Sequence, residues 1–429
     1  MQLNTLLSDA WNAVANIELA DARAKYVILT LLGATAFLAG LGIFRKALRW
    51  RTLGAFIGAV VLTAAAWVVM EKTWKPFPDR VPAYIYVCGS LAVFVLLGAV
   101  LQRGRRIVLG LLTPLAFAMS FGVFNLEFQE YPTVRSLNPQ PVAVQMNYEE
   151  FQRAAADRRP PEIDGEPAGA IVTVDLPATQ FEHRPAVAYV PPAYFTEPKL
   201  ELPVYVIMAG NPGSPQQWYD AGDAENTMDN YQRAHRGRSP ILISVDGTGG
   251  FTNNPICVDS KDNKVQTYLA KDVPQAIKER FRVVPDQQKW TIGGLSYGGT
   301  CALQVVTNYP DSYGTFLDYS GQREPTLGQH QETVDRFFGG DEAAFQAVNP
   351  LTLLEQAKGT PKYRHLHGKF IVGAEDKHFK EDMQIMHKAA VDAGINAAYE
   401  EVPGGHSFQV WRVALRETIG YVAQRGGLK

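Results

Sequence analysis

The sequence predicts a two-part protein in which four membrane-spanning helices precede an α/β domain with a mostly parallel sheet. Three observations support this prediction. Four long uncharged stretches occur early in the chain, strands alternate with helices after residue 170, and a Gly-x-Ser-x-Gly motif lies between a strand and a helix. With 429 residues, 46% of them hydrophobic, the chain is long enough for more than one folded domain.

The charge balance and the cysteine count exclude several classes of protein. There are 41 Lys and Arg against 43 Asp and Glu, and this near-balance argues against a nucleic-acid-binding protein. Three cysteines, Cys88, Cys257 and Cys301, are too few for a disulfide-rich scaffold or a four-cysteine zinc site. His365 and His367 form a pair without an evident third ligand, so we expect no metal, and nothing in the sequence indicates a cofactor.

Residues 1–124 are predicted to form a membrane domain. Its four uncharged stretches are 18 or 19 residues long, which matches a hydrocarbon layer of about 30 Å; they cover about residues 26–44, 52–70, 83–101 and 107–124. The loops at 45–51 and 102–106 together hold seven Lys and Arg, whereas the loop at 71–82 holds three. The positive-inside rule puts the two basic loops in the cytoplasm. Everything after residue 124 is therefore expected to be extracytoplasmic, in a multi-pass protein of the cell membrane.

Residues 125–169 carry six prolines and a charged run, which is typical of a linker or an irregular collar. Residues 170–429 are then long enough for one sizeable globular domain. Cys257 and Cys301 both lie in this domain. The sequence leaves open whether they form a disulfide, and it favours a packing role for Cys301 as a small buried side chain.

The second domain shows the pattern of a sheet covered by helices. Strands are predicted at 171–176, 186–190, 203–208, 241–245, 290–292, 315–319, 369–372 and 397–402. Helices are predicted at 272–281, 300–308, 332–345 and 379–393. Strands that alternate with helices indicate a parallel sheet, and the early strands without intervening helices indicate an antiparallel edge. This layout is that of the α/β-hydrolase fold.

The candidate nucleophile is Ser296, in the motif Gly294-Leu295-Ser296-Tyr297-Gly298. The motif follows a predicted strand and precedes a helix, which is the context of the nucleophile elbow. The turn is sharp, so a side chain at either glycine would collide with the neighbouring strand or helix. The dipole of the following helix favours a developing negative charge beside the serine.

A serine hydroxyl needs a general base, and His406 is the candidate. It lies in a glycine-rich loop between the last predicted strand and a C-terminal helix, where this fold presents its base. The third member is an acid between Ser296 and His406 in chain order. Asp376 and Glu375 both follow the strand at 369–372, and a carboxylate there can orient the imidazole. Asp376 is preferred and Glu375 is kept as the alternative.

An oxyanion hole needs two backbone N–H groups. One is expected from Tyr297, which directly follows the nucleophile. The other is expected from the loop after the strand at 203–208, which reads Ala-Gly-Asn-Pro-Gly-Ser. Because Pro212 has no N–H, the donor there is Gly210 or Asn211.

Residues 186–411 resemble the esterase D and mycolyltransferase branch of the α/β-hydrolases. The resemblance is carried by RPAVAYVPPAYF at 184–195, MAGNPGSPQQW at 208–218, TYLAKDVPQAI at 267–277, IGGLSYGGTCAL at 292–303 and GGHSFQVWR at 404–412. It implies a serine hydrolase or acyltransferase that works through an acyl-enzyme, with Ser296 and His406 in the family's roles. Mycolyltransferases use a glutamate as the acid, which keeps Glu375 open.

The expected function is that of a membrane-anchored serine esterase acting on a lipid or cell-envelope ester, with the bilayer as its partner. Four-span proteins with such a domain resemble envelope hydrolases of aminoacylated phosphatidylglycerol. One alternative is a mycolyltransferase-like acyltransferase that transfers to a sugar or lipid alcohol. A second is a non-catalytic membrane scaffold with a hydrolase-like domain. The sequence leaves the acyl group, the alcohol and the oligomeric state open.

Overall fold

The computed structural model describes residues 11–75, 80–261 and 263–428 of the chain. The chain divides into two units, Met1–Gln140 and Pro141–Lys429. Each unit has its own core of buried side chains, as expected for separate folding domains.

Among the described residues of the first unit, four helices are long and apolar enough to cross a membrane. They are α1 (Ala22–Gly40), α2 (Arg49–Val68), α3 (Ala83–Leu101) and α4 (Arg106–Phe128). With short helical extensions, the apolar segments cover Ala22–Phe44, Arg49–Trp74, Ala83–Leu101 and Arg103–Phe128, at the four predicted positions. Large side chains such as Phe37, Trp50 and Leu111 are exposed on these helices, as suits helices surrounded by lipid. The buried Gln102 is satisfied because its amide donates to the Ala39 carbonyl over 3.0 Å.

The second unit is built on a nine-stranded sheet. Its strands are β1 (Ala143–Asn147), β2 (Gly169–Val174), β3 (Ala186–Val190), β4 (Val204–Met208), β5 (Ile241–Val245), β6 (Thr291–Leu295), β7 (Thr315–Tyr319), β8 (His367–Gly373) and β9 (Asn396–Val402). The strand order is β1-β2-β3-β5-β4-β6-β7-β8-β9. Only β3 runs antiparallel to its neighbours, and every other pair is parallel. This mostly parallel sheet is the predicted α/β-hydrolase fold.

Helices cover both faces of the sheet. They are α5 (Tyr148–Asp157), α6 (Pro192–Thr196), α7 (Gln217–Asp220), α8 (Ala224–Ala234), α9 (Val273–Arg280), α10 (Tyr297–Asn308), α11 (His330–Phe338), α12 (Glu342–Gln346), α13 (Pro350–Gln356), α14 (Lys377–Asp392) and α15 (Phe408–Arg425). Successive side chains of a strand point to opposite faces. In β4, Val204 and Val206 therefore enter one core, and Tyr205 and Ile207 enter the other.

The structure orders part of the segment expected as a linker or collar at 125–169. Within it, β1 pairs in parallel with β2 at the edge of the sheet, and α5 buries Phe151 in the core. Asn147 and Glu150 form a reciprocal capping box at the start of α5. The second unit therefore begins at Pro141 rather than near residue 170. Prolines on both sides of this short strand and helix obscured their pattern.

The helix expected at 332–345 is divided into α11 and α12. Gly339 and Gly340 separate the two helices, with φ angles of 63° and 84°. Glycine adopts this left-handed conformation readily, and it is the usual way for a helix to end.

Candidate functional site

Ser296 occupies a sharp turn between β6 and α10. Its φ and ψ angles are 52° and −116°, a conformation that costs energy for any residue with a side chain. The flanking glycines are needed because neighbouring backbone is close. A Cβ on Gly294 would lie 2.6 Å from the Met208 carbonyl oxygen, and a Cβ on Gly298 would lie 2.5 Å from the same atom. The turn therefore has the geometry of a nucleophile elbow.

His406 reaches Ser296 from the loop between β9 and α15. Its Nε2 lies 3.0 Å from Ser296 Oγ, and its Nδ1 lies 2.8 Å from Asp376 Oδ2. With the proton on Nδ1, the imidazole donates to Asp376 and accepts from the serine hydroxyl. The structure thus brings together three side chains that are 110 and 30 residues apart along the chain.

Asp376, rather than Glu375, contacts the imidazole. The Asp376 carboxylate is nearly buried, and its second oxygen accepts from the Phe379 N–H at the start of α14. Glu375 is exposed and accepts from the N–H of Gly404, while its own N–H donates to the Gly404 carbonyl. Glu375 therefore hydrogen-bonds to the backbone of the loop that carries His406, whereas Asp376 contacts the imidazole itself.

Two aromatic rings fix the imidazole of His406. Phe379 stacks on it with ring centroids 3.9 Å apart, and Trp411 packs edge-to-face with centroids 5.0 Å apart. The Trp411 indole N–H also donates to Ser320 Oγ over 3.4 Å. These contacts restrict rotation of the imidazole. No role for Phe379 was predicted from the sequence; its position three residues after Asp376, within the first turn of α14, was the available signal.

The loop after β4 lies beside the nucleophile. A Cβ on Gly210 would lie 3.7 Å from the Cβ of Ser296, so the Gly210 backbone borders the serine. The buried side chain of Asn211 donates to the Asn253 carbonyl over 2.6 Å. Tyr297 is the first residue of α10, so its N–H has no acceptor within the helix. The backbone of Tyr297 and the backbone of Gly210 therefore flank Ser296, where an oxyanion hole requires donors.

The segment 246–257 ties this loop to the nucleophile helix. The Tyr297 hydroxyl donates to the Gly247 carbonyl over 2.8 Å and accepts from the Cys257 N–H over 3.2 Å. At the start of the segment, Arg184 forms a bidentate ion pair with the buried Asp246 and also donates to the Gly213 carbonyl. No local sequence pattern indicated this support, because Arg184, Gly213 and the segment 246–257 lie on three separate loops and Tyr297 lies at the start of α10.

Cys257 and Cys301 form a disulfide, with their Cα atoms 5.4 Å apart. The sequence favoured a packing role for Cys301, and this preference was wrong. A separation of 44 residues gives no local signal, and only the fold brings the loop after β5 against the first turns of α10. Cys88 is a free cysteine in α3.

We expect loss of the disulfide to destabilise the second unit. The cross-link closes a loop of 44 residues, for which chain entropy predicts about 4 kcal/mol. Thermal unfolding of the full-length protein in detergent, with and without a phosphine reductant, measures the effect. The double variant Cys257→Ser/Cys301→Ser should unfold at the lower temperature in both conditions. Cys88→Ser is the matched control and should keep the full response to reductant. If the thermal unfolding midpoint of wild-type protein is the same with and without the reductant, the expectation is contradicted.

Asp318 is a buried carboxyl group beneath the nucleophile helix. Its Oδ1 accepts from the Gly321 N–H over 2.8 Å, and among the described residues its Oδ2 has no hydrogen-bond partner. The pKa of this carboxyl is raised to about 7, mainly by burial and to a smaller extent by the nearby Asp382 carboxylate, against the lowering effect of the Gly321 N–H. The sequence signal was an acid within the apolar strand Thr-Phe-Leu-Asp-Tyr.

Asp318→Asn is expected to remove a pH dependence of stability. The carboxyl has a pKa of about 7 in the folded protein and an ordinary value of 3.8, so between these pH values the folded protein retains a proton that the unfolded chain releases. Wild-type stability should therefore fall as the pH rises from 4 to 7, by about 4 kcal/mol. Thermal unfolding midpoints of the variant and of wild type are compared at pH 5 and at pH 8. Relative to wild type, the variant should be more stable at pH 8 than it is at pH 5. A difference between the two midpoints that is the same at both pH values would contradict this.

No three His, Cys, Asp or Glu side chains among the described residues are arranged to hold a metal ion. A hydroxyl, an imidazole and a carboxylate in this relay can activate the serine for attack on a carbonyl carbon.

The fold and the site define an α/β-hydrolase of the serine hydrolase or acyltransferase class. The chain belongs to the esterase family: residues 179–422 match the family model described as "Putative esterase". It is 50% identical over 427 residues to "Uncharacterized protein Cgl0967/cg1104" of Corynebacterium glutamicum, and the match covers 97% of this chain and all of the relative.

Solved structures share the fold of the second unit. A ferulic acid esterase covers 57% of this chain and 92% of its own length, with 17% identity and a TM-score of 0.50. An S-formylglutathione hydrolase from Agrobacterium tumefaciens covers 60% of this chain and 95% of its own length, with 15% identity and a TM-score of 0.49. Membership of the esterase family argues against the alternative of a non-catalytic scaffold.

Proposed function

We propose that this protein is a membrane-anchored serine esterase that hydrolyses a lipid or cell-envelope ester through an acyl-enzyme. The observation that carries the proposal is the relay from Ser296 Oγ through His406 to Asp376, with contacts of 3.0 and 2.8 Å. Neither contact needs to change for proton transfer, since both are within hydrogen-bond distance.

In the proposed reaction, Ser296 Oγ attacks the ester carbonyl while its proton passes to His406 Nε2. The Asp376 carboxylate stabilises the imidazolium that results. The N–H groups of Tyr297 and of Gly210 or Asn211 donate to the oxyanion. Cleavage of the ester C–O bond releases the alcohol, which takes the proton from His406. Water, deprotonated by His406, then attacks the acyl-enzyme, and the acid leaves as His406 returns the proton to Ser296 Oγ.

The catalytic unit is proposed to lie outside the cytoplasm. The basic loops at 45–51 and 102–106 are expected in the cytoplasm by the positive-inside rule. The chain after the fourth helix would then lie on the opposite side of the membrane. The Cys257–Cys301 disulfide supports the same sidedness, because disulfides persist in oxidising compartments. Proteinase K added to intact spheroplasts should digest the second unit. Protection until the membrane is opened would contradict this orientation.

The substrate is proposed to be a lipid ester, with aminoacylated phosphatidylglycerol as the leading candidate. Four helices apolar enough to cross a membrane would keep the site at the bilayer surface, where lipid esters reach a high effective concentration. The candidate also rests on the resemblance to four-span envelope hydrolases.

A second candidate is acyl transfer to a sugar or lipid alcohol. It is favoured by the sequence GGHSFQVWR at 404–412, which resembles the mycolyltransferases and places Trp411 against His406. In this case an alcohol replaces water in the second half of the reaction.

Mass spectrometry of defined lipid mixtures distinguishes these candidates. Full-length protein in nanodiscs is incubated with alanyl-phosphatidylglycerol, or with trehalose monomycolate as donor and acceptor. Free alanine with phosphatidylglycerol indicates hydrolysis, whereas trehalose dimycolate indicates transfer. The Ser296→Ala variant is the control and should give neither product. Wild-type protein that gives neither product, while a soluble p-nitrophenyl ester is hydrolysed, would reject both substrates and retain only the esterase activity.

A further inference from the structure

One exposed aromatic side chain belongs to a segment that is hydrogen-bonded to the loop beside the nucleophile. Among the described residues of the second unit, Phe251 and Val391 are the large apolar side chains that are well exposed, at 60% and 46%. Phe251 is the aromatic one of the pair. With 60% of its surface in solvent, the phenyl group gains less from burial than the aromatic side chains of the core do.

The backbone of Phe251 runs directly alongside the loop that borders the nucleophile. The Phe251 carbonyl accepts from the Gly213 N–H over 2.9 Å, and two residues further the Asn253 carbonyl accepts from the Asn211 side chain over 2.6 Å. These two hydrogen bonds attach the chain around Phe251 to the loop that carries Gly210, which borders Ser296. The segment that carries the phenyl group is thus attached to the loop beside the nucleophile.

The anchors of the segment, and not burial of the ring, determine where Phe251 lies. The segment is held at one end by the Arg184–Asp246 ion pair and at the other by the Cys257–Cys301 disulfide. Between them, Gly249 has a φ of 71°, which lets the chain turn sharply just before Phe251. The ring is presented to solvent from a constrained backbone, which limits the entropy lost when a ligand covers it.

We propose that Phe251 is a specificity-determining residue that contacts an alkyl chain of the ester substrate. This inference rests on the proposed esterase function. The contact would favour lipid esters over short soluble esters, because an alkyl chain long enough to reach Phe251 removes its phenyl group from water. A short acyl group at Ser296 makes no such contact.

The test compares Phe251→Ser with wild-type full-length protein on p-nitrophenyl esters from acetate to decanoate. Covering the exposed 60% of this side chain corresponds to roughly a 5- to 20-fold change in an equilibrium constant, so we expect a KM increase of this size for decanoate. For acetate, kcat/KM should stay within about two-fold, since the short ester does not reach the ring. Phe251→Leu should recover most of the decanoate preference.

A second arm places the alkyl chains on the alcohol instead. Alanyl-phosphatidylglycerol with dihexanoyl chains is compared with the dioleoyl lipid in vesicles. A selective loss in either arm supports the proposal and tells whether the acyl or the alcohol side contacts Phe251. Val391→Ser is the matched control, because it also replaces an exposed apolar side chain by serine. It lies at the far end of α14, about 22 Å along the helix from Asp376, and should change neither arm.

Two outcomes would overturn the inference. An equal loss for short and long esters would indicate a structural role for Phe251, and unchanged kinetics in both arms would indicate no role. Labelling of Ser296 by a fluorophosphonate separates these results from a failure of the proposed function. If wild-type protein is labelled but hydrolyses no ester, the esterase proposal fails, and this inference fails as well because it rests on that proposal. If esters are hydrolysed without a Phe251 effect, only the inference fails.

Discussion

Replacing Ser296 by alanine is expected to lower kcat for ester hydrolysis by about 10⁶-fold, to the level that binding and oxyanion contacts alone provide. The physical reason is that the acyl-enzyme cannot form without the hydroxyl that lies 3.0 Å from His406 Nε2. Initial rates with p-nitrophenyl butyrate and labelling by a fluorophosphonate measure the effect. Both signals should disappear together. Activity above about one part in 10³ of wild type would identify another nucleophile.

Ser320→Ala is the matched control for this variant. Ser320 is buried like Ser296 and also has a positive φ, 58° against 52°. Its hydroxyl accepts a hydrogen bond from Trp411 and has no contact with His406 among the described residues. We expect a loss of less than about ten-fold, since one weak hydrogen bond of this kind contributes about 1 kcal/mol. The thermal midpoint of Ser296→Ala should match that of wild type, because alanine keeps the Cβ and the strained backbone.

Asp376→Asn is expected to lower kcat by about 10⁴-fold with little change in KM. An asparagine amide can donate to His406 Nδ1 and so favour the tautomer that carries its proton on Nε2. That tautomer cannot accept the proton of Ser296. The stabilisation of the imidazolium by the carboxylate, now 2.8 Å from Nδ1, is lost as well. Pre-steady-state measurement of the acylation burst with p-nitrophenyl butyrate locates the loss in the first chemical step.

Glu375→Gln distinguishes the two neighbouring acids. The Glu375 carboxylate accepts from the Gly404 N–H, and a glutamine side chain retains an oxygen for that bond. We therefore expect a loss of less than about ten-fold, through the position of the His406 loop. If Glu375→Gln were the more damaging of the two substitutions, the acid would be Glu375 and the geometry of the relay would have to change during the reaction.

Most of the sheet could be predicted because its strands carry a local signal. The strands at 186–190, 241–245 and 315–319 have the predicted bounds, since each is a short apolar run between turn residues. The first strand, Ala143–Asn147, could not be found in this way. It lies at the edge, buries only Ala143 fully among its five residues, and closely follows Pro139 and Pro141. Its pairing with β2 depends on the assembled sheet.

The amino-acid sequence by itself determined the four apolar helices, most strands of the sheet, and the residue types at the nucleophile turn and in the histidine loop. Hydrophobic length, periodicity and glycine geometry are local properties that can be read along the chain. Tertiary structure alone decided which of Asp376 and Glu375 contacts His406, and that Cys257 lies against Cys301. Adjacent residues on a loop point in different directions, and partners far apart in sequence meet only where packing of the whole sheet brings their elements together.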